Sequence, residues 1–120
     1  MRSVLLAASL VAISASSAFA ADDVMANYYG NTVVATGGIA DTHSYYSADH
    51  TFSTKAPAFG VEYKGTWKFD GTNLCRIYDS PPPGVPNPFC TPWTAHKVGD
   101  TWTMSANGQS RTITLVKGVQ

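Results

Sequence analysis

Between Gly60 and Phe69 the chain alternates apolar and polar side chains. Val61, Tyr63, Trp67 and Phe69 share one face, and Glu62, Lys64, Thr66 and Lys68 share the other. A period of two suits a strand with one buried and one wetted side; a helix, with a period of about 3.6, would scatter these residues around its axis. Gly65 falls on the apolar face, where a missing side chain admits a bend or bulge. Asp70-Gly71 supplies a turn, so Leu74 to Tyr78 is expected to return as the hairpin partner.

The same grammar recurs on both sides. Thr101 to Met104 and Thr112 to Val116 flank Asn107-Gly108, a strong hairpin signal because both residues tolerate positive φ. Upstream, Thr32 to Ala35 closes on Gly37-Gly38, and His43 to Tyr46 turns through Ala48-Asp49-His50 into Thr51 to Ser53. Residues 22–29 fit a brief helical turn, with Asp22 and Asp23 well placed at its start. The expected fold is all-β: seven or eight short antiparallel strands, at a spacing that suggests a sandwich or a small up-and-down barrel. With 120 residues there is room for one domain.

The first twenty residues read as an address. A positive Met1-Arg2 start, an apolar run from Val4 to Ile13 and small residues at Ala18-Phe19-Ala20 make a secretory signal peptide, with cleavage expected between Ala20 and Ala21. The apolar run is too short for a span of about 20 residues, so no membrane span is expected after cleavage. The expected location is periplasmic or secreted, with residues 21–120 as a single β domain. Lys plus Arg and Asp plus Glu are equal at 8 each, which leaves no basic excess for nucleic acid.

Export bears on Cys75 and Cys90. In an oxidising compartment an isolated pair reads most simply as a disulfide; the alternatives are a metal pair or a redox pair, for which the CxxC spacing and a second pair are missing. Six of the seven prolines lie in residues 81–92, so this stretch is no central strand but a stiff loop, placed at 76–89 and tied at its base by the sulfurs.

Gly30-Asn31-Thr32, Gly65-Thr66-Trp67, Asp70-Gly71 and the two cysteines together resemble a loose group of small exported bacterial domains related in style to lipocalin-like barrels. The resemblance spans residues 30 to about 105. In lipocalins Gly-x-Trp stands on the first strand, whereas here it lies mid-chain. The resemblance implies a small antiparallel β-barrel or half-barrel, a lipocalin-like meander, and brings no catalytic residues with it.

Candidate functional residues are few. His43, His50 and His96 show no HxH or HExxH spacing, so no metal site and no cofactor are expected. No GxSxG is present. Asp70 and Asp100 fall at turns and suit backbone hydrogen bonding better than acid–base work. Aromatic residues are the remaining resource. Trp67 and Trp102 read as core. Tyr45 and Tyr46 are adjacent in a strand, so one faces away from the other. With Trp93, and with His43 and His96, one of these tyrosines is a candidate for contact with a small apolar or aromatic ligand or a periplasmic protein such as a hydrolase. The expected role is therefore binding or interaction. The alternatives are a small cofactor-independent isomerase or cyclase with His43 or His96 as base at a barrel mouth, and a structural envelope protein. Non-reducing mass spectrometry of exported protein should recover a Cys75–Cys90 cross-link. Cys75→Ala should lower Tm by many degrees, since closing so short a loop contributes about 3 kcal/mol; two free thiols in exported protein would refute the bond.

Overall fold

A computed structural model describes residues 23–106 and 108–120; residues 1–22, which include the expected signal peptide and its cleavage point, and Asn107 lie outside the described residues. The strands are β1 (Thr32–Thr36), β2 (Thr42–Tyr46), β3 (Thr51–Ala56), β4 (Val61–Phe69), β5 (Asn73–Tyr78), β6 (Phe89–Pro92), β7 (Thr101–Ala106) and β8 (Gln109–Val116). They form one antiparallel sheet in the order β6-β5-β4-β3-β2-β1-β8-β7. The first six strands are a meander, and the C-terminal hairpin joins through β8 to β1. The sheet curls into a half-barrel. Its curvature is visible in a bond across the interior: Arg76 Nε on β5 donates to Tyr46 Oη on β2 at 2.8 Å, although two strands separate β5 from β2 in the sheet.

The edge strands β6 and β7 are not paired with each other, and Trp93 just after β6 and Trp102 to Ser105 on β7 line the two sides of one gap of about 300 Å³. A short helical turn at 23–25 and the chain that follows it cross this end of the half-barrel. Met25 and Tyr28 are fully buried there, beside Trp67, Leu74 and Leu115. Tyr28 Oη donates to the Thr94 carbonyl at 2.8 Å, and Asn27 Nδ2 donates to the His96 carbonyl at 2.9 Å. The aromatic chemistry of this end is continuous, with Tyr28 and Trp93 ring centres 5.2 Å apart.

Period-two patterning accounts for most of this. β6 is the strand the pattern does not announce, because Pro92 and the preceding prolines suppress the signal; as an edge strand it spares Pro92 a ladder bond on its outer side. The Pro-rich loop is shorter than 76–89. Cys75 and Cys90 are bonded and directly opposed, with Cα atoms 3.9 Å apart, and the ladder continues past them through Arg76 and Phe89. The Asn87 side-chain amide then imitates one more rung. Its Oδ1 accepts from the Tyr78 N–H at 2.9 Å and its Nδ2 donates to the Tyr78 carbonyl at 3.1 Å. The loop outside regular structure is 79–88. Two apolar expectations also shift: Val61 is exposed, because β4 begins beyond the core, and Trp102 is half-buried under the His96 ring.

Gly65 owes its identity to contact rather than to dihedral freedom. A Cβ there would sit 1.9 Å from the Ile77 carbonyl oxygen and 3.0 Å from the Phe52 ring. The missing side chain lets β5 and the Phe52 ring close on β4 beside Trp67, whose Nε1 donates to the Ser47 carbonyl at 3.0 Å. Gly65→Ala should therefore displace backbone and destabilise by about 3 kcal/mol, more than about 10 °C in Tm by circular dichroism. An unchanged Tm would contradict this packing.

Candidate functional site

Side chains that alternate inward along a curled sheet must meet at its axis, and here they do not fill the space. A cavity of about 310 Å³ is lined by residues from all eight strands. The alternation is strict: Thr42, Ser44 and Tyr46 on β2, Arg76 and Tyr78 on β5, and Gln109, Arg111 and Ile113 on β8 all face it. Its wall is mainly apolar and aromatic, with Trp93, Phe89 and Tyr63 among the rings. Pro82 and Val85 add a panel from the Pro-rich loop. One end is plugged by Met25, Tyr28, Trp67, Leu74 and Leu115, each at most 1% exposed. The other end is ringed by the β1–β2, β3–β4 and β5–β6 connections, on which Ile39 and Phe59 are exposed.

Arg76 stands inside this wall and is 6% exposed. Its position follows from parity, since it shares a face of β5 with Leu74 and Tyr78. Burying a guanidinium costs several kcal/mol unless its charge and its donors are answered. Three aromatic faces answer part of it, with Trp93, Phe89 and Tyr46 ring centres 5.1, 5.4 and 5.9 Å from Cζ. Nε donates to Tyr46 Oη at 2.8 Å, and Nη1 to Thr91 Oγ1 at 3.2 Å and to the Phe89 carbonyl at 3.5 Å. Among the described residues no carboxylate lies within ion-pair distance of it.

Arg111, also on the wall, is a clamp. Its Nη2 donates to the carbonyls of Ala35 at 3.0 Å and Ala40 at 2.6 Å, and Gly38 lies flat against it. Burial pulls its guanidinium below the ordinary arginine value, opposed by the charge of Asp41. Burial likewise pushes the Tyr78 phenol up to about 12, with neighbouring Tyr46 adding to the effect. Burial raises Tyr28 further still.

The residues singled out from sequence separate cleanly. Tyr46 and Trp93 line the cavity, and Trp93 is buried at 5% exposure rather than displayed on a loop. Tyr45 faces the other way, half-buried, and its hydroxyl donates to the Gln120 carbonyl. His43 alternates with the inward residues of β2 and is not part of the lining. His96 lies between β6 and β7, its ring 3.5 Å from that of Trp102 and its Nδ1 3.2 Å from Asp100 Oδ2. Neither histidine stands at the cavity, so a base at the barrel mouth is not supplied by them. Asp70 and Asp100 cap turns as expected: Asp70 accepts from the Asn73 and Thr72 N–H groups and Asp100 from that of Lys97. These bonds, joined at Asp100 by His96, hold both carboxyls below the usual range. Among the described residues no group of three or more His, Cys, Asp or Glu could hold a metal ion, and no helix is long and apolar enough to cross a membrane.

Arg76, Tyr78, Thr91 and Arg111 escaped the sequence reading. The usable signal is parity: Arg76 sits in phase with Leu74 and Tyr78, and Arg111 in phase with Ile113 and Leu115. No protein-family model, curated protein or solved structure matches this chain.

The buried phenols predict an alkaline limit. A folded value raised above the unfolded one of about 10 leaves stability intact below that pH and removes it as pH climbs through the folded value. The denaturation midpoint should hold to about pH 10 and fall towards about pH 12, with Tyr78→Phe softening the fall. A midpoint flat through that window would contradict the burial.

Proposed function

We propose that this chain is an exported binding protein that carries a small, largely apolar or aromatic molecule inside its half-barrel. The observation that supports the reading is the interior space bounded by every strand of the sheet. Small-molecule sites run from about 300 to 1,000 Å³ and are mostly apolar with a few placed polar groups. A cavity of about 310 Å³ with one buried guanidinium and two hydroxyls bonded to it meets that description at the small end. At about 30 Å³ per water-sized group, it admits roughly ten non-hydrogen atoms.

Secretion to the periplasm is part of the proposal. The signal-peptide pattern and the Cys75–Cys90 bond both favour it. The bond ties the base of the loop that contributes Pro82 and Val85 to the wall.

Thermal unfolding with toluene, 1-octanol and octanoate tests the reading. At least one should raise Tm by about 10 °C at a hundred times its Kd. Ala35→Phe, which puts a ring into the cavity from β1, should keep the β-sheet spectrum and abolish the shift. No shift with any of the three, or a shift untouched by Ala35→Phe, would remove the cavity as the binding site.

A further inference from the structure

The cavity is lopsided in charge. Among the described residues its lining includes two guanidiniums, Arg76 and Arg111, and no carboxylate. The hydrogen-bonding groups near Arg76 are lopsided in the same sense. Tyr46 Oη and Thr91 Oγ1 each accept from Arg76, which leaves each hydroxyl its own proton to donate. Among the described residues neither proton has a protein acceptor, and Arg76 Nη2 hydrogen-bonds no protein group. Trp93 Nε1 and Arg111 Nε, on two more lining residues, are buried donors without a partner among the described residues. A pocket meant for a hydrocarbon or a neutral alcohol has no use for a buried cation and a surplus of donors, because leaving them unanswered is costly.

We propose that the ligand is an amphipathic anion, a monocarboxylate with a short alkyl or aryl body. Its head group accepts from Arg76 Nη2 and from the Tyr46 and Thr91 hydroxyls, and its body lies among Phe89, Tyr63 and Val85 towards the open end. This deepens the cavity reading and rests on it. A carboxylate is an acceptor-only group with two oxygens, the complement of a guanidinium edge flanked by hydroxyl donors. The three rings around Cζ make the site drier and the charge–charge attraction stronger than it would be in water.

Calorimetric titration of the mature protein with octanoate, 1-octanol and acetate separates the possibilities. Octanoate should bind at least about tenfold more tightly than 1-octanol, as expected for a charge-assisted head contact, and far more tightly than acetate, which lacks the body. Arg76→Met should abolish this preference, losing octanoate by at least about tenfold while keeping 1-octanol. If Arg76→Met does not fold, the wild-type ranking decides alone. Octanol bound as tightly as octanoate, or octanoate retained by a folded Arg76→Met, overturns the anionic head while leaving the cavity reading in place. Acetate bound as tightly as octanoate overturns the amphipathic ligand in favour of a bare anion site. Binding of none of the three overturns the cavity reading and this proposal together.

Discussion

A guanidinium inside a barrel must be held from several directions, and Arg76 is. Its bonds reach β2 through Tyr46 and β6 through Thr91 and Phe89, so one side chain on β5 ties together strands that lie apart in the sheet order. That arrangement has two consequences. It constrains the curvature of the sheet, since Tyr46 and Arg76 meet only if the meander wraps. It also sets a charged, hydrogen-bonded head in the lining of the cavity, among side chains that are otherwise mainly apolar and aromatic.

The two ends of the half-barrel then divide the work. At one end tight packing does what a core ordinarily does. Trp67, Leu74 and Leu115 are joined there by Met25 and Tyr28 from the N-terminal turn, and Gly65 gives up its side chain so that backbone and ring can close. At the other end the inward residues leave room. The Pro-rich loop serves as wall there, held by the Cys75–Cys90 bond and by the Asn87 amide clasping the Tyr78 backbone. The unpaired edges β6 and β7 face each other across a seam. The crossing segment 93–100 spans that region, with His96 stacked on Trp102 and bonded to Asp100.

Alternation and turn chemistry make seven of the eight strands legible in the sequence, because strand faces and Asp-Gly or Asn-Gly turns are local properties. β6 is hidden by Pro92 and the prolines before it, whose signal describes only the backbone donor they lack. The loop tied by the cysteines is shorter than the sequence implies for a related reason: nothing local reveals that Cys75 and Cys90 are opposed inside a ladder. Of the candidate residues, Tyr46 and Trp93 line the cavity, while His43, His96 and Tyr45 are not part of its lining. Arg76 does not stand out in the sequence because a charge reads as solvent-facing by default. Its phase with Leu74 and Tyr78 contradicts that default and is the one signal that could have located the cavity from sequence.

The curl of the sheet and the character of the cavity both depend on Arg76 being inside. Nitrogen-edited NMR of the arginine Nε–H groups measures this directly, through exchange of each proton with water. A proton donated to buried Tyr46 Oη should exchange far more slowly than that of an arginine in water, and Tyr46→Phe should release it. Rapid exchange of the Arg76 Nε–H in the folded wild-type protein would place the side chain in solvent and leave the interior without its charge.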